Sequence, residues 1–282
     1  MRALGVDVGV RRGLDLVLLE DDLVPLEIRR RVAPEDLPTI AKELEPDVIA
    51  IDAPPSWGRN GGSRLTEKEL RWFGIQSYGT PSDPKKAENA FYEWMRVGFR
   101  TFDAVADRFP RYSSGSVAGT AIEVFPHATA VVLAGCLPPA DVTKRDWRVS
   151  VLRASKVEVS PLRSIDVVDA ALAALTGMFA LRGRFSAPGD PREGTIVIPV
   201  RTLPGNPYRR CVRPPSRVAQ PHLPGLTPCG CGDPGCRALT KKEFAPGHES
   251  KRKSYLWRQA RVGDEAVQEL HRRGWAVPPE IR

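Results

Sequence analysis

Asp7 constrains the fold more than any other residue, because it stands in the middle of the apolar segment Ala3–Val10 (ALGVDVGV). An ionised carboxylate among core-forming side chains costs several kcal/mol unless a counter-charge or a metal satisfies it. The same pattern recurs on three further segments. Asp52 ends Val48–Asp52 (VIAID), and Glu123 interrupts Thr120–Phe125 (TAIEVF). Asp166 and Asp169 stand at i and i+3 at the head of the apolar run Ile165–Leu175 (IDVVDAALAAL). Each acid alone has an ordinary reading: Asp52 as a turn former, Asp166 as a helix-cap partner, Glu123 as the partner of an arginine. Four core-like segments each carrying an acid, most of them near strand ends, point to a site, since open α/β sheets build their sites there.

The surrounding pattern sets the fold class. Ala3–Val8, Leu14–Glu20 and Leu23–Arg31 read as three strands joined by short turns, hence an antiparallel meander. Pro34–Leu44 reads as a helix with Glu35 and Asp36 in its first turn, where carboxylates suit the dipole. From Val48–Asp52 onward strands and helices alternate. Residues 56–86 look like a polar insertion or loop. Glu88–Phe109 reads as a helix with Phe91, Trp94, Met95, Phe99, Phe102 and Val105 on one stripe. Helices are expected over Pro126–Ala134, Lys144–Val157 and Ser164–Leu181, with strands over Thr120–Phe125 and Thr195–Val200. The expectation is an α/β fold, a mixed sheet flanked by helices.

Carboxylates from several elements, without His or Cys among them, make an oxygen-rich site suited to Mg²⁺ or Mn²⁺. Two such ions about 3.5–4 Å apart activate water and stabilise the leaving oxygen in phosphodiester cleavage. The order of strand acid, meander, further acidic βα units and late helical acid matches the layout of the ribonuclease-H-like fold. The segments Gly5–Gly9 (GVDVG), Ile49–Pro54 (IAIDAP), Glu123–Pro126 (EVFP), Lys144–Arg148 (KRDWR) and Asp166–Ala171 (DVVDAA) resemble those of the predicted nucleases called domain of unknown function 429. Arg64–Gly74 (RLTEKELRWFG) is similar to that family's basic loop, and Gly194–Pro199 to its final strand. The resemblance covers about residues 1–200. It implies a ribonuclease-H-like core and metal-dependent nuclease action. Asp7 would bridge both metals, and Asp52, Glu123 and Asp169 would complete their shells, with Asp166 as a further member. Arg64, Lys144 and Arg148 are candidate phosphate contacts. His127 departs from the pattern, since the family often has a second acid after that proline.

Charge and cysteine divide the chain. Residues 1–206 carry 27 basic and 27 acidic residues, whereas residues 207–282 carry 15 and 7 and hold the whole net charge of +8. Eight prolines fall within residues 199–228, which signals an extended connector. The expected organisation is a catalytic domain over 1–203, a Pro-rich linker over 204–228 and a basic module over 229–282. Cys229, Cys231, Cys236 and His248 supply three thiols and an imidazole among tight-turning glycines, the preferred shell of structural Zn²⁺. Cys211 or His222 is an alternative fourth ligand, and Cys136 reads as a small core residue. This stretch also resembles a small actinobacterial-type zinc-binding module. Lys251, Arg252 and Lys253, with Lys241, Lys242 and Arg258 and the interleaved Tyr255 and Trp257, form a basic surface suited to nucleic-acid backbone.

No segment approaches the roughly 20 apolar residues of a membrane span, and Met1–Leu4 runs straight into a strand without a signal-peptide pattern. A cytoplasmic protein without membrane contact is expected. Three competing functions share these features. An actin-like ATPase or phosphotransferase needs a duplicated domain and a second Gly-rich turn. A non-catalytic nucleic-acid-binding protein with a degenerate acidic cluster would bind without regard to Mg²⁺. A Holliday-junction resolvase usually has a shorter single domain.

Overall fold

The apolar alternation of the first thirty residues becomes an antiparallel meander in the computed structural model, which describes residues 1–59, 61–82, 89–211, 227–228, 239–240, 256, 264–273, 275 and 277. Two compact units emerge, Met1–Arg213 and Pro214–Arg282. In the first, β1 (Ala3–Gly9), β2 (Gly13–Leu19) and β3 (Pro25–Val32) form the meander. Next come α1 (Leu37–Leu44), β4 (Val48–Asp52), α2 (Leu65–Trp72) and α3 (Glu93–Val105). They are followed by β5 (Thr120–Val124), α4 (Pro126–Ala134), α5 (Lys144–Ala154), α6 (Ile165–Leu181) and β6 (Ile196–Val197). The result is a mixed six-stranded sheet, ordered β3-β2-β1-β4-β5-β6 and flanked by helices. β1, β4, β5 and β6 run parallel, as buried central strands with helical crossovers do.

The pleat sorts side chains between two apolar layers. Ala3, Val48 and Ala50 join the layer built with α4, α5 and α6. Leu4, Val6, Ile49 and Ile51 alternate with them and join the layer of α1 and α3. Residues paired across strands share a face, so Asp7, Asp15 and Asp52, matched in register, fall on the α6 side. Glu123 pairs with Ile51 and falls on the other side.

Helix α6 lies unusually close to the sheet. A Cβ on Gly5 would stand 2.0 Å from the Ala170 carbonyl oxygen and 2.3 Å from the Ala174 nitrogen, and one on Gly177 would meet the Ala3 and Val48 side chains. The helix therefore runs antiparallel to β1, with Gly177 over the strand's start and its acidic first turns over the strand's end. Gly5→Ala should consequently lower unfolding stability by about 1–3 kcal/mol, since the obstruction is helix backbone and cannot rotate away. Chemical denaturation would reveal it, and an unchanged midpoint would refute this account of the packing.

Several sequence expectations require correction. The insertion expected over 56–86 contains α2, whose buried residues are Thr66, Glu67 and Leu70. The helix expected from residue 88 begins at Glu93, after a 3-10 turn over Ala90–Tyr92 that takes Phe91 off the apolar stripe and leaves it 49% exposed. Cys136 is not a core residue: it forms a disulfide with Cys211, which also removes Cys211 as a zinc ligand. Residues 204–211, placed in the linker by composition, are held to the first unit by that disulfide. Tyr208 also donates its N–H to the Phe73 carbonyl, and Cys211 to the Leu137 carbonyl.

In the second unit, β7 (Thr227–Pro228) pairs antiparallel with β8 (Leu239–Thr240), flanking the segment that carries the three cysteines. Helix α7 (Asp264–Arg272) contributes Leu270 to a small core with Leu256 and Val277. Cys229, Cys231, Cys236, His248, Lys251, Arg252 and Lys253 lie outside the described residues, as does the helix expected over 249–261 apart from Leu256. No helix among the described residues is long and apolar enough to cross a membrane.

Candidate functional site

The sheet register sets Asp7 directly beside Asp52 at the carboxyl ends of β1 and β4, with Asp15 across from Asp7 on β2. Neither Asp7 nor Asp52 has a hydrogen-bond or ion-pair partner among the described residues. Burial, then the negative charges of Asp52, Asp169, Asp166 and Asp15, push the Asp7 carboxyl up to about 9. Burial and Asp169 push Asp52 up as well, against the opposing pull of Arg148 and Lys144. At neutral pH the pair therefore retains proton that ordinary aspartates release. Asp15 is differently placed, since it is paired with Arg30 at 3.3 Å.

Helix α6 delivers the other two acids. Ser164 caps it, its side chain accepting from the Val167 N–H, so Asp166 is in the first turn and is not the cap. Asp166 is 3.8 Å from the exposed Arg12 guanidinium. One turn along, Asp169 is buried and doubly paired, with Lys144 Nζ at 3.2 Å and with Arg148. Lys144 and Arg148 are four residues apart on α5, which puts both on one helix face. Thr143 caps that helix by accepting from the Asp146 N–H. Arg148 is therefore not a solvated surface residue. It is 4% exposed, and its Nε has no partner. Lys144, with its side chain 61% exposed, remains open to solvent.

Glu123 lines the same cavity as Asp52 and Asp169 but is already paired. Standing on the opposite pleat, it receives Arg64 Nη1 at 2.7 Å and Nη2 at 2.5 Å, a two-pronged ion pair. Arg64 Nε donates to Glu67 Oε1 at 2.9 Å, and Glu67 also accepts from the Arg64 N–H and from Thr80 N and Oγ1. Arg64 is 1% exposed and Glu67 2% exposed, so one buried guanidinium is shared between two buried carboxylates. Burial works to lower the Arg64 pKa, but Glu123 and Glu67 outweigh it and hold the guanidinium charged. Glu123, expected to complete a metal shell, is ion-paired with Arg64 in this structure. His127, where a second acid was expected, is partly buried between Phe125 and Trp147. Burial, then Arg148 and Lys144, lower it to about 4, so it is neutral at physiological pH.

Several of these groups line one cavity of about 440 Å³, whose lining includes Asp52 but not Asp7. The lining also includes Asp169, Glu123, Arg64, Lys144 and Arg148, together with the rings of Tyr78, Phe91, Trp94 and Phe125. Sequence reading missed Glu67 and Tyr78, which lay in the supposed loop, and Asp15, which ordinary strand alternation concealed. It also missed Arg111, which approaches the Arg64 guanidinium beside Gly194. The acid alternating with leucines in Gly13–Leu19 was the one available signal for Asp15.

The donor set fits a hard cation only in part. Asp7 and Asp52 offer unpartnered carboxylates in an excess of negative field, which suits Mg²⁺ or Mn²⁺. Asp169 and Glu123 are occupied by arginines. Among the described residues no three His, Cys, Asp or Glu side chains are disposed to hold one ion.

Comparison with curated proteins and with solved structures returns no match. A family model described as "Protein of unknown function (DUF429)" matches residues 5–193, about two thirds of the chain and the whole stretch bearing Asp7, Asp52, Glu123, Asp166 and Asp169, and the chain belongs to that family.

Proposed function

We propose that the protein is a metal-dependent nuclease on a ribonuclease-H-like core, hydrolysing phosphodiester bonds at the Asp7–Asp52 pair. The observation that carries this reading is that adjacent strand ends present two carboxyl groups with no hydrogen-bond or ion-pair partner among the described residues, with Asp169 adding negative field at both and Asp166 at Asp7. A meander followed by parallel strands, with the last acids on a helix lying over the first strand, supports the fold assignment. A bound divalent cation would act as a Lewis acid on the phosphoryl group and lower the pKa of bound water. Asp7 and Asp52 would hold it, and Asp169 would reach it by releasing Lys144. That exchange leaves Lys144 free to meet a phosphate while Arg148 stays on Asp169. Arg64 keeps Glu123 neutralised and positions the cavity wall. Cys229, Cys231, Cys236 and His248, with Zn²⁺, would shape the second unit, and its basic residues would hold the nucleic-acid backbone.

The test is cleavage of labelled single- and double-stranded DNA and RNA with Mg²⁺, with Mn²⁺ and with excess chelator. Cleavage that needs the cation is expected; cleavage indifferent to chelator, or none on any of the four substrates, would contradict the proposal. The ion pairs at Glu123 and Asp169 favour one rival, a non-catalytic nucleic-acid-binding protein. That rival predicts binding unaffected by Mg²⁺ or by Asp7→Asn.

A further inference from the structure

Aromatic rings accumulate at the acidic cavity: Trp94 packs against the layer of α1 and α3, whereas Tyr78 and Phe91 are not buried in either core layer. Tyr78 and Phe91 are 67% and 49% exposed, yet their ring centroids lie 5.4 Å apart, and Tyr78 is 6.4 Å from Trp94. The chain of rings continues outward, from Phe91 to Tyr92 at 5.1 Å, then to Trp57 at 6.2 Å and Phe99 at 4.8 Å beyond it. Exposed apolar rings beside a functional cleft mark a binding surface. The cavity lining carries both kinds of group, Lys144, Arg148, Asp52 and Asp169 as well as Tyr78, Phe91 and Trp94. Its occupant should join a flat π-face to an anionic group a few bonds away. At about 440 Å³ the space lies within the range of small-molecule sites.

We propose that Tyr78, Phe91 and Trp94 form a stacking platform for an unpaired base of single-stranded nucleic acid, its phosphate directed toward Lys144 and the Asp7–Asp52 pair. The proposal rests on the nuclease reading and adds the strandedness of its substrate. In a duplex, both faces of each base are covered by neighbouring pairs. A protein ring can reach a base only where the strand is single or frayed, and aromatic stacking is sequence-tolerant because every base has a π-face. The rings extending past the cavity suit a strand that continues beyond the base being held. The exposed Lys144, which lines the same cavity, supplies a cation.

The test is fluorescence anisotropy with labelled single-stranded, duplex and mononucleotide probes in Ca²⁺, for the full chain and for Tyr78→Ala, Phe91→Ala and Tyr78→Phe. Tyr78 and Phe91 are exposed, so these variants should fold, and circular dichroism verifies it. The expected result is single-strand binding weakened about tenfold by either alanine variant. Tyr78→Phe should restore it, and duplex binding should be weaker and unmoved. Equal weakening of duplex and single strand, no weakening in either alanine variant, a mononucleotide bound as tightly as the strand, or no binding of any probe would each overturn the platform. Cleavage is scored separately in Mn²⁺. Aromatic-dependent single-strand binding without cleavage would sink the nuclease reading and leave the platform standing.

Discussion

Arg64→Ala is expected to lower folding stability by about 3–5 kcal/mol, because it strands two buried carboxylates at once. Glu123 would lose both of its charge-assisted hydrogen bonds and Glu67 one, in surroundings where the three side chains are almost wholly excluded from water. Typical domains hold only about 5–15 kcal/mol in reserve, so the variant should be largely unfolded at modest denaturant concentrations. Arg64→Lys should recover little, since an ammonium cannot reproduce the forked donors that span Glu123 while a third donor reaches Glu67. Paired replacement, Arg64→Met with Glu123→Leu, should be far milder than the single change, because the penalty comes from an unpaired buried charge. Urea denaturation of the four proteins decides this; a loss under about 1 kcal/mol for Arg64→Ala would show that the network is solvated.

Asp7→Asn should abolish cation-dependent cleavage, with a loss on the order of 10²–10³ or greater, while making the protein more stable at neutral and alkaline pH. The second effect follows from the direction of the Asp7 shift. Its folded-state value is raised from the ordinary 3.8 to about 9, so the folded chain holds a proton that the unfolded chain releases. The associated stability is complete below the unfolded value and is lost as pH rises through the folded one. Asp52, raised to about 8, acts in the same sense. Without divalent cation, unfolding midpoints should therefore fall between about pH 4 and about pH 9. Asn, which carries no charge, should flatten that decline, and Mg²⁺ should oppose it in the parent protein by binding the ionised pair. Thermal denaturation across that range, with and without Mg²⁺, provides the measurement. A variant that is inactive and also less stable at alkaline pH would mean that Asp7 is satisfied by a partner in the fold.

The element pattern was legible because burial leaves a mark on composition. Val48–Asp52 and Pro126–Ala134 were bounded correctly by apolar runs and by proline. Asp7, Asp52, Asp166 and Asp169 stood out for the converse reason, as charges where the core should be. Helix α2 escaped notice because only Leu70 of its inward face joins the apolar core, while Thr66 and Glu67 are polar and Glu67 is satisfied by Arg64 and Thr80. Hydrophobic periodicity cannot register a helix buried through ion pairs. Tyr78 was likewise hidden, being an isolated ring in a polar stretch until α3 brought Phe91 and Trp94 to it.

Local chemistry thus determined which residues would be strand, helix or misplaced acid, since those preferences depend on near neighbours in the chain. Only the tertiary structure decided which acids are free. Register paired Asp7 with Asp52, and Glu123 is ion-paired with Arg64. The glycine-lined approach of α6 to β1 brought Asp169 within reach of Lys144 and Arg148. A carboxylate looks the same in sequence whether an arginine or a cation will satisfy it; which of the two it meets depends on charges that folding brings from distant parts of the chain.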